Sequence, residues 1–256
     1  MPTFSSYPSG TPSWVDLSTP DPGAAHAFYG SVFGWTAADL GPDAGGYAMF
    51  QLGGANVAGV GPTQAEGQPA AWTTYVDVAD AEATMARVAV EGGTVVLEPT
   101  AVMEAGTMAL FTDPTGAFLG IWQPGQHRGA DVANEPGTWC WNELNTRDLA
   151  KATRFYERVF DWVPVTSDAG GVQYTEWKLG GRSVAGMMAM PAQVPAEAPA
   201  HWLAYFAVAD TDATVAAVEK GGGSVFVPPT DIPPGRFAVL ADPAGAAFAV
   251  IKTAAS

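Results

Sequence analysis

Apolar positions along this chain switch repeatedly between a two-residue and a helical period. Ser13–Thr19 alternates as a short strand, and Thr19-Pro20-Asp21-Pro22 opens a helix with Ala24, Ala25, Phe28, Tyr29 and Val32 on one face. Tyr47–Leu52 and Asn56–Gly61 flank Gly53-Gly54, the pattern of a hairpin with a glycine turn. After a Pro/Gln/Gly-rich stretch, Pro62–Pro69, the pattern restarts. Trp72–Val78 reads as a strand, Asp80 as an N-cap, and Ala81–Val90 as a helix stopped by Gly92-Gly93. Thr94–Leu97, Met108–Thr112 and Phe118–Trp122 follow as strands, the last two joined by Asp113-Pro114-Thr115-Gly116.

The whole arrangement then recurs. Trp14-Val15-Asp16-Leu17 returns as Trp141-Asn142-Glu143-Leu144, and Phe-Tyr-x-x-Val-Phe-x-Trp occurs at Phe28–Trp35 and Phe155–Trp162. Tyr47…Leu52-Gly53-Gly54…Val57-Ala58-Gly59 is matched by Tyr174…Leu179-Gly180-Gly181…Val184-Ala185-Gly186, and Asp113-Pro114 by Asp242-Pro243. The offset between copies barely changes, so two similar domains stand in tandem. The reading is domain 1 at residues 1–125 (units 12–62 and 70–123), a linker at 126–137, and domain 2 at 138–256 (units 138–190 and 200–253). Met190–Pro199 repeats the inner linker. Each unit is strand–helix–strand–strand–strand, whose helix covers only one sheet face. The expected fold is therefore α+β: four βαβββ units in two cup-shaped domains, the concave faces being the natural ligand sites. Whether units pair within a domain or are exchanged between domains is open from sequence.

With 48% hydrophobic residues among 256 there is material for two cores. The net charge of −15 disfavours nucleic acid and anionic membranes as partners. One cysteine, Cys140, rules out an internal disulfide and fits a reducing compartment. There is no signal-like start and no apolar run long enough to span a bilayer, so a cytoplasmic location is expected. The repeat would let one chain mimic a dimer, giving a monomer or a weak homodimer.

These units, with Phe-Tyr near the end of the first helix and Asp-Pro-x-Gly before the last strand, resemble the vicinal oxygen chelate superfamily, which includes glyoxalase I, extradiol dioxygenases and bleomycin-resistance proteins. The similarity is greatest to two-domain actinobacterial glyoxalase-like proteins, through the Trp14 and Trp141 segments, His201-Trp202…Tyr205-Phe206, and Asp231-Ile232-Pro233…Gly235–Leu240. The resemblance implies four cup-facing metal positions per domain. By register these fall on Trp14, Gly59, Ala71 and Gly120, and on Trp141, Gly186, His201 and Ala249. A divalent ion needs three or four N, O or S donors converging on one point, and these positions supply one, so neither a metal nor any other cofactor is expected.

His201 breaks the repeat, replacing Ala71. It is either a relic ligand or general acid/base, or a hydrogen-bonded rim histidine. His26 and His127 read as solvated bystanders. Strand alternation puts Asp16 and Glu143 in the cups beside Trp14 and Trp141, with Asn145 on the same face. Each carboxylate is either a general base with a raised pKa or a partner for backbone or arginine. Tyr75 and Tyr205 are either donors to a bound carbonyl or phenolate, or packing residues with the hydroxyl at the wet end. The catalytic candidates are thus His201, Glu143, Tyr205 and Asp16. Glu176, Lys178, Arg182 and Arg236 make domain 2 the more polar: either it is the site of chemistry, or these charges form a solvated strand face. Trp14, Trp122, Trp139, Trp141 and Trp177 would line cups suited to a flat conjugated ligand, with Tyr75, Asn145, Glu176, Lys178 and Arg236 completing the ligand-binding set. Cys140, alternating with Trp139 and Trp141, is expected on the helix-covered face, buried and inert.

The function expected is binding or transformation of a small aromatic metabolite without a metal. The alternatives are a metal-dependent lyase, dioxygenase or hydroxylase, and a non-enzymatic interaction protein with filled cups.

Overall fold

The computed structural model describes residues 4–169, 172–191 and 194–254. Residues 192–193 of the expected inner linker of domain 2 lie outside them. The first unit comprises β1 (Pro12–Thr19), α1 (Pro22–Phe33), β2 (Thr36–Asp39), β3 (Ala48–Leu52) and β4 (Ala55–Pro62). The second comprises β5 (Ala71–Asp77), α2 (Ala81–Val90), β6 (Thr94–Val102), β7 (Gly106–Thr112) and β8 (Phe118–Pro124). The third comprises β9 (Trp139–Thr146), α3 (Leu149–Phe160), β10 (Val163–Ala169), β11 (Val172–Leu179) and β12 (Arg182–Ala189). The fourth comprises β13 (His201–Ala207), α4 (Thr211–Lys220), β14 (Ser224–Ile232), β15 (Gly235–Ala241) and β16 (Ala247–Thr253).

Each helix starts on an aspartate that accepts from a main-chain N–H three residues on: Asp21 from Ala24, Asp80 from Ala83, Asp148 from Lys151 and Asp210 from Ala213. The short β2 carries only exposed or half-buried side chains, which is why its apolar pattern is too weak to read from sequence.

Units pair within domains. Each domain is one eight-stranded sheet, β2-β3-β4-β1-β5-β8-β7-β6 or β10-β11-β12-β9-β13-β16-β15-β14. At its centre the two units meet through the antiparallel pairs β1–β5 and β9–β13. Each central strand also runs parallel to its own unit's last strand, β1 to β4 and β5 to β8.

The helices pack across the domain boundary, α1 on α4 and α2 on α3. One buried core joins the first unit (Val15, Phe28, Phe50) to the fourth (Phe206, Val218, Phe248). A second joins the second unit (Val76, Phe111, Leu119) to the third (Phe155, Trp162, Trp177). The helix-covered faces of the sheets therefore look at each other, and the two cups open outward. The repeated motifs form the clasp between them. Tyr29 Oη accepts from Trp72 Nε1 at 3.0 Å and donates to Asp242 Oδ2 at 3.1 Å. Its counterpart Tyr156 accepts from Trp202 Nε1 and donates to Asp113 Oδ2, both at 2.9 Å. The Phe-Tyr of one domain thus binds the Asp-Pro-x-Gly turn of the other. Burial pushes both phenols well above their ordinary range, so they stay protonated donors.

Candidate functional site

In the first cup, β1 carries Trp14 and Asp16 on its concave face, β5 brings Tyr75, and Tyr47 enters just ahead of β3. Tyr47 and Tyr75 each donate to Asp16 Oδ2 at 3.2 Å, and Tyr47 Oη accepts from Trp14 Nε1 at 3.1 Å. The second cup repeats this with a longer acid. Tyr205 donates to Glu143 Oε1 at 3.0 Å, Tyr174 also bonds the carboxylate, and Trp141 Nε1 donates to Tyr174 Oη at 2.9 Å. Asn145 adds a bond to Glu143 Oε1 at 3.4 Å.

Backbone glycine makes room for both clusters. A Cβ on Gly59 would lie 1.8 Å from Tyr47 Oη, and one on Gly186 would lie 1.9 Å from Tyr174 Oη. The tyrosine hydroxyls occupy the space that side chains from these strand positions would fill. Among the described residues no group of three or more His, Cys, Asp or Glu is arranged to hold a metal ion. The residues present do not fit the chelate that the resemblance implies.

The register also corrects where His201 lies. Ala71 stands opposite Ser18 and His201 opposite Asn145, whereas Trp14 and Trp141 stand opposite Tyr75 and Tyr205. Four strand residues, about 13 Å, separate His201 from Tyr205. His201 lies half-buried at the strand's start, with Nδ1 at 3.1 Å from the Pro199 carbonyl oxygen. It stands opposite Asn145, away from the Trp141–Tyr205 end of the cup.

Both carboxyls are held above their ordinary range. Burial raises Asp16 to about 7 against the opposing tyrosine hydrogen bonds. Burial likewise raises Glu143, opposed by Tyr205, Tyr174 and Asn145. Each phenol is pushed up in turn, by burial first and then by the neighbouring carboxylate. A carboxyl held above its ordinary range beside two neutral hydroxyls can take up or release a proton on a bound molecule, while a hydroxyl steadies its oxygen.

The cups differ at the tryptophan. Trp14 is only 4% exposed, because His127 from the interdomain linker packs its ring edge-on at 4.4 Å. His127 also touches Trp122 at 5.6 Å, and its carbonyl accepts from Trp122 Nε1 at 2.8 Å. Burial lowers its pKa. His127 is therefore no bystander; its place in a Gly/Pro-rich linker hid it. Trp141 is half-exposed at the corresponding position. His26 is also partly buried, against Phe50 at 5.7 Å, and not freely solvated.

The other sequence-predicted residues divide between cup and core. Trp122 and Tyr75 belong to the first cup's apolar cluster, and Trp141 and Tyr205 to the second. Trp139 and Trp177 do not face a cup. A bulge at Cys140 shifts the β9–β13 register, which turns Trp139 into the interdomain core and Cys140 into the cup cluster. Cys140 Sγ lies 3.4 Å from the Tyr205 carbonyl oxygen, and burial pushes its thiol up to about 12. Trp177, between Glu176 and Lys178, takes the opposite strand face, fully buried against Tyr156, Trp162 and Trp202. Glu176 and Lys178 pair at 3.7 Å at the rim, where Ser183 also donates to Glu176. Arg236 is held outside the cup, by Asp212 on α4 at 2.7 and 2.9 Å and by Asp231 at 3.0 Å. Tyr47 and Tyr174 were given no role from sequence. Their signal was their pairing, in both copies, with Gly59 and Gly186.

Sequence comparison places this architecture. The glyoxalase/bleomycin resistance protein/dioxygenase superfamily matches residues 11–121 and 138–250, and the chain belongs to it. Within it, the chain is 44% identical over 99% of both sequences to the Mycobacterium tuberculosis protein named "Putative glyoxylase CFP32". It is 38% identical to the "Anthracycline biosynthesis protein DnrV" of Streptomyces peucetius, over 96% of this chain and 94% of that protein. Among solved structures, the Mn(II)-bound glyoxalase of Novosphingobium aromaticivorans superposes with a TM-score of 0.65 at 15% identity, over 95% of this chain and 82% of that one. The 2,3-dioxygenase LapB of Pseudomonas sp. KL28 gives 0.65 at 14% identity, over 96% and 94%. At such identities these two share the fold alone. No described helix is long and apolar enough to cross a membrane.

Proposed function

We propose that this protein binds a small, flat, conjugated molecule in an outward-facing cup and moves a proton on it without a metal. The observation that carries this reading is the carboxyl at each cup floor, raised by burial and bonded by two tyrosines where glycine has cleared the strand. Trp141 supplies a half-exposed ring for stacking, which adds on the order of 1 kcal/mol per ring pair. Glu143 acts as the proton acceptor for an acidic C–H or phenol; once it is protonated, the hydroxyl protons of Tyr205 and Tyr174 turn from it to the oxygen that gains charge. Asp16, Tyr75 and Tyr47 form the same constellation in the first cup. His201, Lys178 and Glu176 sit at the second cup's rim and contact whatever part of the ligand extends beyond it. The name of the Streptomyces relative supports a polycyclic aromatic as the ligand class. One chain holds both cups, so the acting species is a monomer, and its single free thiol suits a cytoplasmic setting.

The test is tryptophan-fluorescence quenching by an anthracycline, followed by NMR detection of deuterium exchange at the ligand's acidic positions. Saturable quenching, with exchange lost in Glu143→Gln, is expected. Binding without exchange in the wild type would reduce the protein to a sequestering role. No binding at either cup would sink the proposal.

A further inference from the structure

The four glyoxalase-like units are related by repetition, yet one ring sits in the first cup with no counterpart in the second. His127 belongs to the linker after β8, which crosses the first cup before reaching β9. The crossing is anchored at several points. His127 N–H donates to the Ala105 carbonyl at 3.0 Å, Ala130 N–H to that of Ser13 at 2.9 Å, and Asp131 N–H to that of Asn56 at 2.8 Å. Asp131 Oδ2 accepts from Asn56 N–H at 2.8 Å, and Tyr7 Oη donates to the Ala130 carbonyl at 2.8 Å. The imidazole hanging from this strap lies edge-on to Trp14 and touches Trp122. Its Nε2 is buried and makes no hydrogen bond among the described residues. A buried ring nitrogen left without a partner costs free energy, so the ring is held there by its contacts with the two indoles.

The second cup leaves its tryptophan partly exposed. Val163 and Val165 of β10 stand opposite Lys178 and Glu176, on the concave face, and are 59% and 46% exposed. Their counterparts in the first domain, Thr36 and Ala38, are small. The second cup thus offers a partly exposed indole with apolar side chains on its wall.

We infer that His127 is a built-in occupant of the first cup, its imidazole standing where a ligand ring would stack, so that each chain binds one aromatic ligand, in the second cup. This rests on the ligand class proposed above. The strap's own contacts are main-chain at residue 127, so removing the side chain leaves them in place and empties the space between the indoles. Apolar-lined space of this kind takes up small rings from solution.

The experiment uses the full chain, wild type and His127→Gly, with His127→Phe as a variant that keeps the space filled. The first probe is imidazole alone, followed through the indole N–H resonances of Trp14 and Trp122. Saturable shifts in His127→Gly, absent from wild type and His127→Phe, are expected. The second probe is an anthracycline, with stoichiometry read by calorimetry. One equivalent is expected for wild type and His127→Phe, and two for His127→Gly. Two equivalents in the wild type, or a folded His127→Gly that takes up neither imidazole nor a second equivalent, overturns the inference. If the wild type binds no anthracycline, the function proposed above falls, and the imidazole titration still decides whether His127 fills a ring site.

Discussion

The two cups are built from the same parts and differ in what is left uncovered. In the first, the indole of Trp14 lies under His127 while Asp16 is partly exposed; in the second, Trp141 is partly exposed while Glu143 is 6% exposed beneath it. One extra methylene lets Glu143 reach its tyrosines from deeper cover, and Asn145 closes over it. Repetition therefore preserved the hydrogen-bond cluster and let access diverge. The carboxyl–tyrosine cluster alone does not distinguish the cups; the indole beside it does.

That comparison is open to attack at several levels. The largest effect is expected where the cups are alike. Gly59→Ala and Gly186→Ala each force a methyl into a tyrosine hydroxyl, and each should lower stability by about 3 kcal/mol in chemical denaturation. A large loss at one glycine and none at the other would show that the clusters are not equivalent. Next come the clasps. Tyr29→Phe and Tyr156→Phe each leave an aspartate oxygen and an indole N–H unpaired in the interdomain core, for a matched loss of about 2 kcal/mol. Unequal losses would mean that the cores between the domains carry different shares of the stability. The third test separates the cups. Trp141→Leu should weaken anthracycline binding by about tenfold, the equivalent of about 1.4 kcal/mol, whereas Trp14→Leu should leave the dissociation constant within about twofold. Equal losses would erase the distinction.

The smallest effect is a pH dependence. Asp16 titrates near 7 in the fold and far lower when unfolded, so the native state holds a proton that the unfolded chain has released. Its contribution to stability is therefore greatest below the unfolded pKa, about 4, and declines as pH rises towards 7, flattening above. Denaturation midpoints measured across that window should fall with pH in the wild type and fall less in Asp16→Asn. An unchanged slope in the variant would mean that Asp16 ionises normally.

Much of the architecture was legible because the pattern was written four times. The helices, the Asp80 cap and the tandem order follow from spacing and local chemistry. The pairing of units was not, since the same apolar faces permit exchange between domains. Trp14, Asp16, Tyr75, Trp141, Glu143 and Tyr205 could be placed by alternation because no bulge intervenes on the path to them. Trp139 and Cys140 could not, because a single inserted residue in β9 reverses which face each takes. Trp177 stands between Glu176 and Lys178, and strict alternation sends it to the face opposite theirs. His127 lay in a segment whose composition carries no period, and its position is set by the strap's main-chain bonds. The tyrosine–glycine pairs were visible as repeated letters, but that Tyr47 and Tyr174 reach a carboxyl is a fact of three dimensions.

The clasp between Tyr29 and Asp242 joins residues 213 positions apart. The core around it nests outside the one joining the second and third units, as an outer bracket encloses an inner one. During synthesis the inner bracket can close while the chain is still growing, but α1 must wait for the last strands to emerge. Until then its phenylalanines have only their own unit's strands against them and lack the cover that Phe206 and Phe248 supply. The ribosome therefore holds a chain whose first helix is among the last elements to complete its packing.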